Sequence, residues 1–238
     1  IMKKVYIYLT IWRFLIHWFY YKNSRNYDII GQDILRNVNQ FCWKTDKVSF
    51  YSFCYLMTFY RMFRNIFYAR VGKRHRMFMK FMGLLAKPQA FLDVSTTSEI
   101  GGGLIVQHGY NTIISPAKMG RNCWINQGVS IGHRTEVGQP EIGDNVRVAA
   151  GALVLGAIKI GRGATIAPGA VVMRNVPPYA IVMGNPAKVV GFNKTPEEIV
   201  AFEQLEYPED ERLLLKKLEK NYNKYYIYRR EEIAAMMQ

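Results

Sequence analysis

Histidine, cysteine and acid are all scarce in this 238-residue chain, at four, three and eighteen residues. Cys42, Cys54 and Cys123 are an odd set without CxxC spacing, which argues for reduced thiols over a disulfide framework. The histidines form no ligand cluster. His108 and His133 lie in the central region and His17 and His75 in the basic N-terminal part, so no metal is expected. Long charge-free apolar runs are missing as well. The run Val5–Tyr21 is interrupted by Arg13 and His17, and the one ending at Tyr68 by Arg61, Arg64 and Asn65. Neither gives the roughly 18 apolar residues of a membrane span. No small-residue cleavage site follows the first run, so a secretory signal is not expected either.

Acid is short in one place above all. Residues 1–90 carry 16 Lys and Arg against 3 Asp and Glu, while residues 91–238 carry 16 against 15. Nearly the whole net charge of +14 therefore sits in the first segment, and no nucleic-acid partner is expected, since nothing resembles an RNA-recognition motif. That segment also holds 22 of the 33 aromatic residues. In the stretch SFYSFCYLMTFYRMFRNIFY ending at Tyr68, Phe53, Leu56, Met57, Tyr60, Phe63 and Phe67 recur at helical intervals, which predicts a helix. Two compatible uses stay open. One is a helical cap packed on the rest of the chain or on another subunit. The other is a basic aromatic face on an anionic membrane, with Lys73, Arg74, Arg76 and Lys80 against phosphates and Phe78 and Phe81 in the interface.

What the chain does have is a period of six. Ile142, Val148, Val154, Ile160, Ile166 and Val172 keep it without a slip. Met119, Ile125, Ile131 and Val137 form a second run, and Val94, Ile100 and Val106 a third. Neither the 3.6 of an α-helix nor the 2.0 of a strand produces that rhythm, whereas a coil of parallel strands with three flat faces does. Gly143 and Gly161, each just after an aliphatic position, suit its sharp corners. The fold class expected is mainly β, a left-handed parallel β-helix over residues 91–192. An α-helical, aromatic segment over 1–90 precedes it, and a helical tail over 193–238 follows. Residues 18 apart should stack, so a spacing of 15 should offset two residues along one face of adjacent coils, about 4.8 Å apart.

Four features between Asp93 and Gly191 carry a resemblance: Asp93 itself, Gln107-His108-Gly109, Gln127-Gly128-Val129-Ser130-Ile131-Gly132, and Ile142-Gly143-Asp144-Asn145-Val146. The ending Val182-Met183-Gly184-Asn185-Pro186-Ala187-Lys188 adds to them. In order and spacing they resemble the hexapeptide acyltransferases, and within these the serine acetyltransferase branch. The resemblance implies an acetyl-CoA-dependent O-acetyltransferase. His108 would be the general base that takes the proton of an acceptor hydroxyl, a task its pKa near working pH suits. Asp93 would accept the other ring N–H and hold the tautomer. The resemblance also implies a homotrimer, with dimers of trimers open, and a pantetheine groove along the coil edge at Ala150, Gly151, Pro168 and Gly169. Arg174 and Lys188 would meet the nucleotide phosphates. A plain geometric role for the same small residues stays open.

The acceptor side departs from that branch. The family has a longer glycine-rich loop before an Arg-His-Pro, whereas here the loop is His133-Arg134-Thr135-Glu136-Val137-Gly138-Gln139-Pro140-Glu141. Gln139 stands where the histidine would be, and a neutral amide brings no charge to a carboxylate. A sugar hydroxyl in surface-polysaccharide synthesis is therefore the acceptor expected, read by Tyr110, Asn126 and Gln139, with His133 as a further contact. L-serine, feeding cysteine synthesis, is the alternative, and a non-catalytic scaffold at the membrane surface is a second. A γ-type carbonic anhydrase would need three zinc histidines. In the tail, Thr195-Pro196-Glu197-Glu198 reads as a helix start with a capping box. Ile199, Phe202 and Leu205 follow on one face, and a second start stands at Pro208. The tail reads as structural. The expected location is cytoplasmic, at the inner face of the membrane if the N-terminal segment binds lipid.

Overall fold

The computed structural model describes residues 2–72, 76–134, 138–195, 197–199 and 201. Its centre is a three-sided β-helix of parallel strands. One side stacks β1 (Leu92–Val94), β4 (Thr112–Ile114), β7 (Ser130–Gly132), β10 (Leu153–Leu155) and β13 (Val171–Val172). The second stacks β2 (Glu99–Ile100), β5 (Lys118–Met119), β8 (Glu141–Ile142) and β11 (Lys159–Ile160). The third stacks β3 (Ile105–Val106), β6 (Trp124–Ile125), β9 (Arg147–Val148), β12 (Thr165–Ile166) and β14 (Ala180–Met183), to which β15 (Lys188–Phe192) adds antiparallel.

The period-six aliphatics are the reason for this shape. Val94, Ile114, Ile131, Val154 and Val172 stack in register inside the first side. Ile100, Met119, Ile142 and Ile160 do so in the second. All are buried, each worth about 1.5–3 kcal/mol relative to exposure. A second inward set lies four residues further on and includes Cys123, Val129, Val146, Ala152, Ala164 and Ala170. These small residues fill the corners. The glycines after the aliphatics on the second side are forced by packing, because a Cβ on Gly143 would lie 2.6 Å from Arg162 N and one on Gly161 2.3 Å from Pro178 N.

The rhythm breaks at three corners before Ile142 and again after Val172, where Val176 pairs with Ile160, 16 residues back. Val106 and Ile114 occupy equivalent places eight residues apart, Ile114 and Met119 five, and Ile131 and Ile142 eleven. Asp93 consequently pairs with Ile113, 20 residues on, and not with a residue 18 away. Val137 lies outside the described residues.

Helices cover the first coil: α1 (Met2–Thr10), a 3-10 turn (Ile11–Phe14), α2 (Leu15–Lys22), α3 (Tyr27–Phe41), α4 (Phe50–Phe59), α5 (Arg61–Val71) and α6 (Arg76–Leu85). The single helix expected up to Tyr68 is two, broken at Tyr60 (φ −117°, ψ 87°). Such a break leaves helix-end carbonyls without partners, and Arg64 supplies them. It is buried and donates to Met57 O at 2.6 Å, Thr58 O at 2.9 Å and Lys87 O at 2.6 Å. An arginine that interrupts the apolar run in sequence thus closes the joint in space. Most of the aromatics pack on each other, with Phe14, Tyr21, Phe53, Phe63 and Phe67 in a core of their own.

A buried polar network fastens this layer to the β-helix. Arg70 Nε donates to Asp33 Oδ2 at 2.8 Å and Arg70 Nη2 to Gly101 O at 2.7 Å, while Nη1 bonds Ile100 O. Leu104 N donates to Asp33 Oδ1 at 2.9 Å, and Asn37 Nδ2 to Leu104 O at 2.9 Å. Burial pushes the Asp33 carboxyl upward, and the Arg70 guanidinium opposes it.

His17 lies in the helical core, its Nε2 3.0 Å from Tyr68 Oη. Burial lowers it from 6.5 to about 4. The folded state therefore favours the neutral ring. Stability tied to His17 is present above pH ~6.5 and is lost as pH falls from there toward ~4, up to about 3 kcal/mol. Urea titrations across that range should show the decline, and His17→Gln should flatten it. An unchanged slope in the variant would reject the assignment.

The tail begins as expected: Glu198 N donates to Thr195 Oγ1 at 3.3 Å and Thr195 N to Glu198 Oε2 at 2.8 Å. Ile199 is buried beside Tyr179. Pro196, Phe202, Leu205 and the second start at Pro208 lie outside the described residues, as do Lys73, Arg74 and His75. The side chains of Arg76, Phe78 and Lys80 lie outside them too. All three cysteines are free thiols.

Candidate active site

His108 stands on the corner between β3 and β4, where two extra residues widen the coil. Its φ is 64°, and Gly109 N donates to Gln107 O at 2.9 Å across it. That makes His108 the centre of a γ-turn with positive φ, a rare and strained conformation. Gly109 and Asn111 also have positive φ. The turn is pinned from beneath, since a Cβ on Gly109 would meet Met62 Cγ at 2.9 Å and Leu92 Cδ2 at 3.0 Å. Strain held by packing and aimed outward is what sites of chemistry often show, and the imidazole is exposed.

Asp93 is the outward residue of β1, one coil earlier. It lines an open cleft of about 520 Å³ with Phe91, Leu92, Asn111, Thr112 and Ile113. Asp93 and His108 do not share a face offset along adjacent coils, as the spacing of 15 suggested, because the widened corner carries His108 off the strand. No hydrogen bond or ion pair joins them among the described residues.

Below the His108 corner runs a column of left-handed glycines, Gly128, Gly151 and Gly169, with φ of 70°, 71° and 67°. Gly128 N donates to Tyr110 O, Gly151 N to Gln127 O and Gly169 N to Ala150 O, at 2.8, 2.9 and 2.9 Å. A Cβ on Gly169 would meet nothing within 4 Å, and one on Gly151 only the Gly169 backbone, at 3.9 Å or more. The corner is thus open to backbone approach at Gly151 and Gly169, with Ala150 and Pro168 beside them. Gly184 O and Ala187 N both bond Val171, which brings Lys188 near its far end. Arg174 follows β13 and lies past the next corner, away from the column.

The expected acceptor contacts divide between two corners. Tyr110 is exposed beside His108. Asn126, one coil on, donates from Nδ2 to Gln107 Oε1 at 3.4 Å, and its buried Oδ1 has no partner among the described residues. Sequence reasoning passed over Gln107, whose Oε1 also accepts from Trp124 Nε1 at 3.2 Å; its place next to His108 was the available signal. His133 and Gln139 belong to the corner between β7 and β8, at the other end of the first side. A single chain does not bring them to His108.

Residues 140–174 match the family described as Bacterial transferase hexapeptide (six repeats). The chain is 38% identical over 105 residues to serine acetyltransferase 4 of Arabidopsis thaliana, covering 42% of this chain and 30% of that protein. It is 38% identical over 104 residues to the serine acetyltransferase of Mycobacterium tuberculosis, covering 42% and 45%. Against the solved structure of the soybean serine acetyltransferase apoenzyme the identity is 30% and the TM-score 0.53, over 68% of each chain. This chain belongs to the serine acetyltransferase-like branch of the hexapeptide acyltransferases. It spans less than half the length of the curated relatives it matches.

Membership in that branch corrects the acceptor. The sugar of a surface polysaccharide, expected from the short loop and Gln139, is not supported, because the similar proteins are named serine acetyltransferases, which favours the alternative stated with it. Gln139 Nε2 donates to Ser115 Oγ at 3.0 Å, which ties this loop to the preceding coil.

Proposed function

We propose that this chain transfers the acetyl group of acetyl-CoA to the hydroxyl of L-serine. The observation that carries the reading is the exposed, strained His108 at the head of a column of left-handed glycines, in a chain of the serine acetyltransferase-like branch. His108 takes the serine hydroxyl proton as the oxygen attacks the thioester carbonyl carbon. The tetrahedral intermediate collapses with cleavage of the C–S bond, and the imidazolium returns the proton to the leaving thiolate. Asp93 orients the ring once substrate and neighbour close the cleft. The pantetheine arm lies along Ala150–Gly151 and Pro168–Gly169, where backbone approach is unobstructed, and Lys188 meets a phosphate at the far end. The division of acceptor contacts between two corners supports a homotrimer, in which His133 and Gln139 of one subunit complete the site of the next beside Tyr110 and Asn126. No metal enters this chemistry.

Thiol release from acetyl-CoA should rise on addition of L-serine, and O-acetylserine should accumulate in equal amount. Thioester consumption indifferent to serine would reject serine as the acceptor. No thioester consumption with any hydroxyl amino acid would favour the non-catalytic scaffold.

A further inference from the structure

A γ-turn with positive φ persists only where its surroundings hold it, and the residue before His108 carries much of that hold. Gln107 is tied at four points. Its backbone N donates to Ile125 O at 2.8 Å, and its backbone O accepts from Gly109 N at 2.9 Å. Its Oε1 accepts from Trp124 Nε1 at 3.2 Å and from Asn126 Nδ2 at 3.4 Å. An indole N–H can only donate, so the amide oxygen has to face the ring and the amide nitrogen is turned away from it. The two donors together use both lone pairs of that oxygen, which leaves the Gln107 side chain one orientation.

Trp124 is itself braced. It lies in β6, one coil on from Gln107, where Ile105 pairs with Trp124 and Val106 with Ile125. Phe41, at the end of α3, meets the indole edge-on, with centroids 6.0 Å apart and planes at 70°. The Arg147 guanidinium lies 5.3 Å from the indole ring centroid. Phe41 is fixed in turn by Tyr60, whose ring stacks on it at 5.4 Å and whose Oη donates to Phe41 O at 3.1 Å. Tyr60 is the break between α4 and α5. A chain of contacts therefore runs from the helical layer through one indole to the residue that opens the His108 turn. The indole nitrogen is the part of this chain that packing does not explain. A phenylalanine would also pack between Phe41 and Arg147, but it would leave Gln107 Oε1 one donor short.

We infer that Trp124 is a positioning residue for acetyl transfer: through its N–H on Gln107 it fixes the turn that aims the His108 imidazole. The inference rests on the role of His108 proposed above and extends it to a residue that acts through Gln107 and not on the substrate. Without that bond the Gln107 amide is free to rotate, the turn relaxes toward ordinary backbone angles, and the imidazole leaves the line of the acceptor hydroxyl. A misplacement of about 1 Å is enough to cost on the order of 10²-fold in rate, so even a partial loosening is measurable.

The test compares Trp124→Phe, Gln107→Met and the double variant in the whole protein. Trp124→Phe keeps the ring and removes the donor, and Gln107→Met removes the acceptor at similar length. In Trp124→Phe, kcat should fall about tenfold or more, with KM for acetyl-CoA and the thermal melt close to wild type. The double variant should lose no more than Gln107→Met alone, because the indole acts only through that oxygen. A second arm reads the histidine rings by nuclear magnetic resonance and needs no acceptor. The His108 ring C–H signal, assigned by its loss in His108→Asn, should shift and broaden in Trp124→Phe, while that of His133, at the other end of the first side, should stay in place. Turnover of Trp124→Phe within twofold of wild type overturns the inference. So do losses that add in the double variant, or a His108 signal that does not move. Should no hydroxyl amino acid support turnover, the reading of the reaction falls, and the resonance arm still decides whether Trp124 holds the turn.

Discussion

Replacing His108 with alanine should lower acetyl-transfer turnover by about 10²–10⁴-fold, the usual contribution of a positioned base. The substitution also touches the backbone, since alanine at a φ of 64° is disfavoured. His108→Asn separates the two effects. Asparagine tolerates the left-handed region but carries no base at working pH. Both variants should lose turnover to a similar extent, with the asparagine protein melting closer to the wild type. Asp93→Asn should cost less, because the imidazole remains and only its orientation loosens. Turnover near the wild-type value in His108→Asn, measured where chemistry limits the rate, would remove His108 from the mechanism.

The largest stability loss is expected at the joint between the helices and the first coil. Arg70 Nε is 2.8 Å from Asp33 Oδ2, with the two side chains 9% and 1% exposed. Removing one partner of such a buried pair typically costs about 3–5 kcal/mol, because the other charge is left unsatisfied. Arg70→Met should therefore destabilise strongly, as should Asp33→Ala, which also strips the acceptor from Leu104 N. Combining the two should cost much less than their sum, since no lone charge then remains. Urea unfolding of the three variants decides the matter. Single-variant losses below about 1 kcal/mol would mean that water reaches the pair and that apolar packing holds the joint.

The β-helix was legible because its signal is long and regular. Ile142 to Val172 repeat without a slip, and each is buried where the period puts it. The companion inward positions were not read, since Ala152, Ala164 and Ala170 look like any other alanine in a sequence. Stacking distances failed where the corners change length, and one of the widened corners carries His108. Period alone locates faces but does not say which turn will bulge. Arg64 was misjudged for another reason. Its three carbonyl partners come from separate segments, Met57, Thr58 and Lys87, and only the tertiary fold assembles them.

The glycine column has a length, and that length is set in units. Tyr110, Gly128, Gly151 and Gly169 mark successive coils, so three steps of about 4.8 Å make a track of roughly 14 Å from the His108 corner to its far end. From Ile142 to Val172 every corner keeps the period of six. That stretch is a series of interchangeable units, and one complete coil of 18 residues inserted or removed there would lengthen or shorten the track by a single step. The register around His108 would not change. The molecule thus works as a gauge with a fixed zero at the imidazole and a scale adjustable in whole coils, which sets how long an extended ligand arm the column is able to measure.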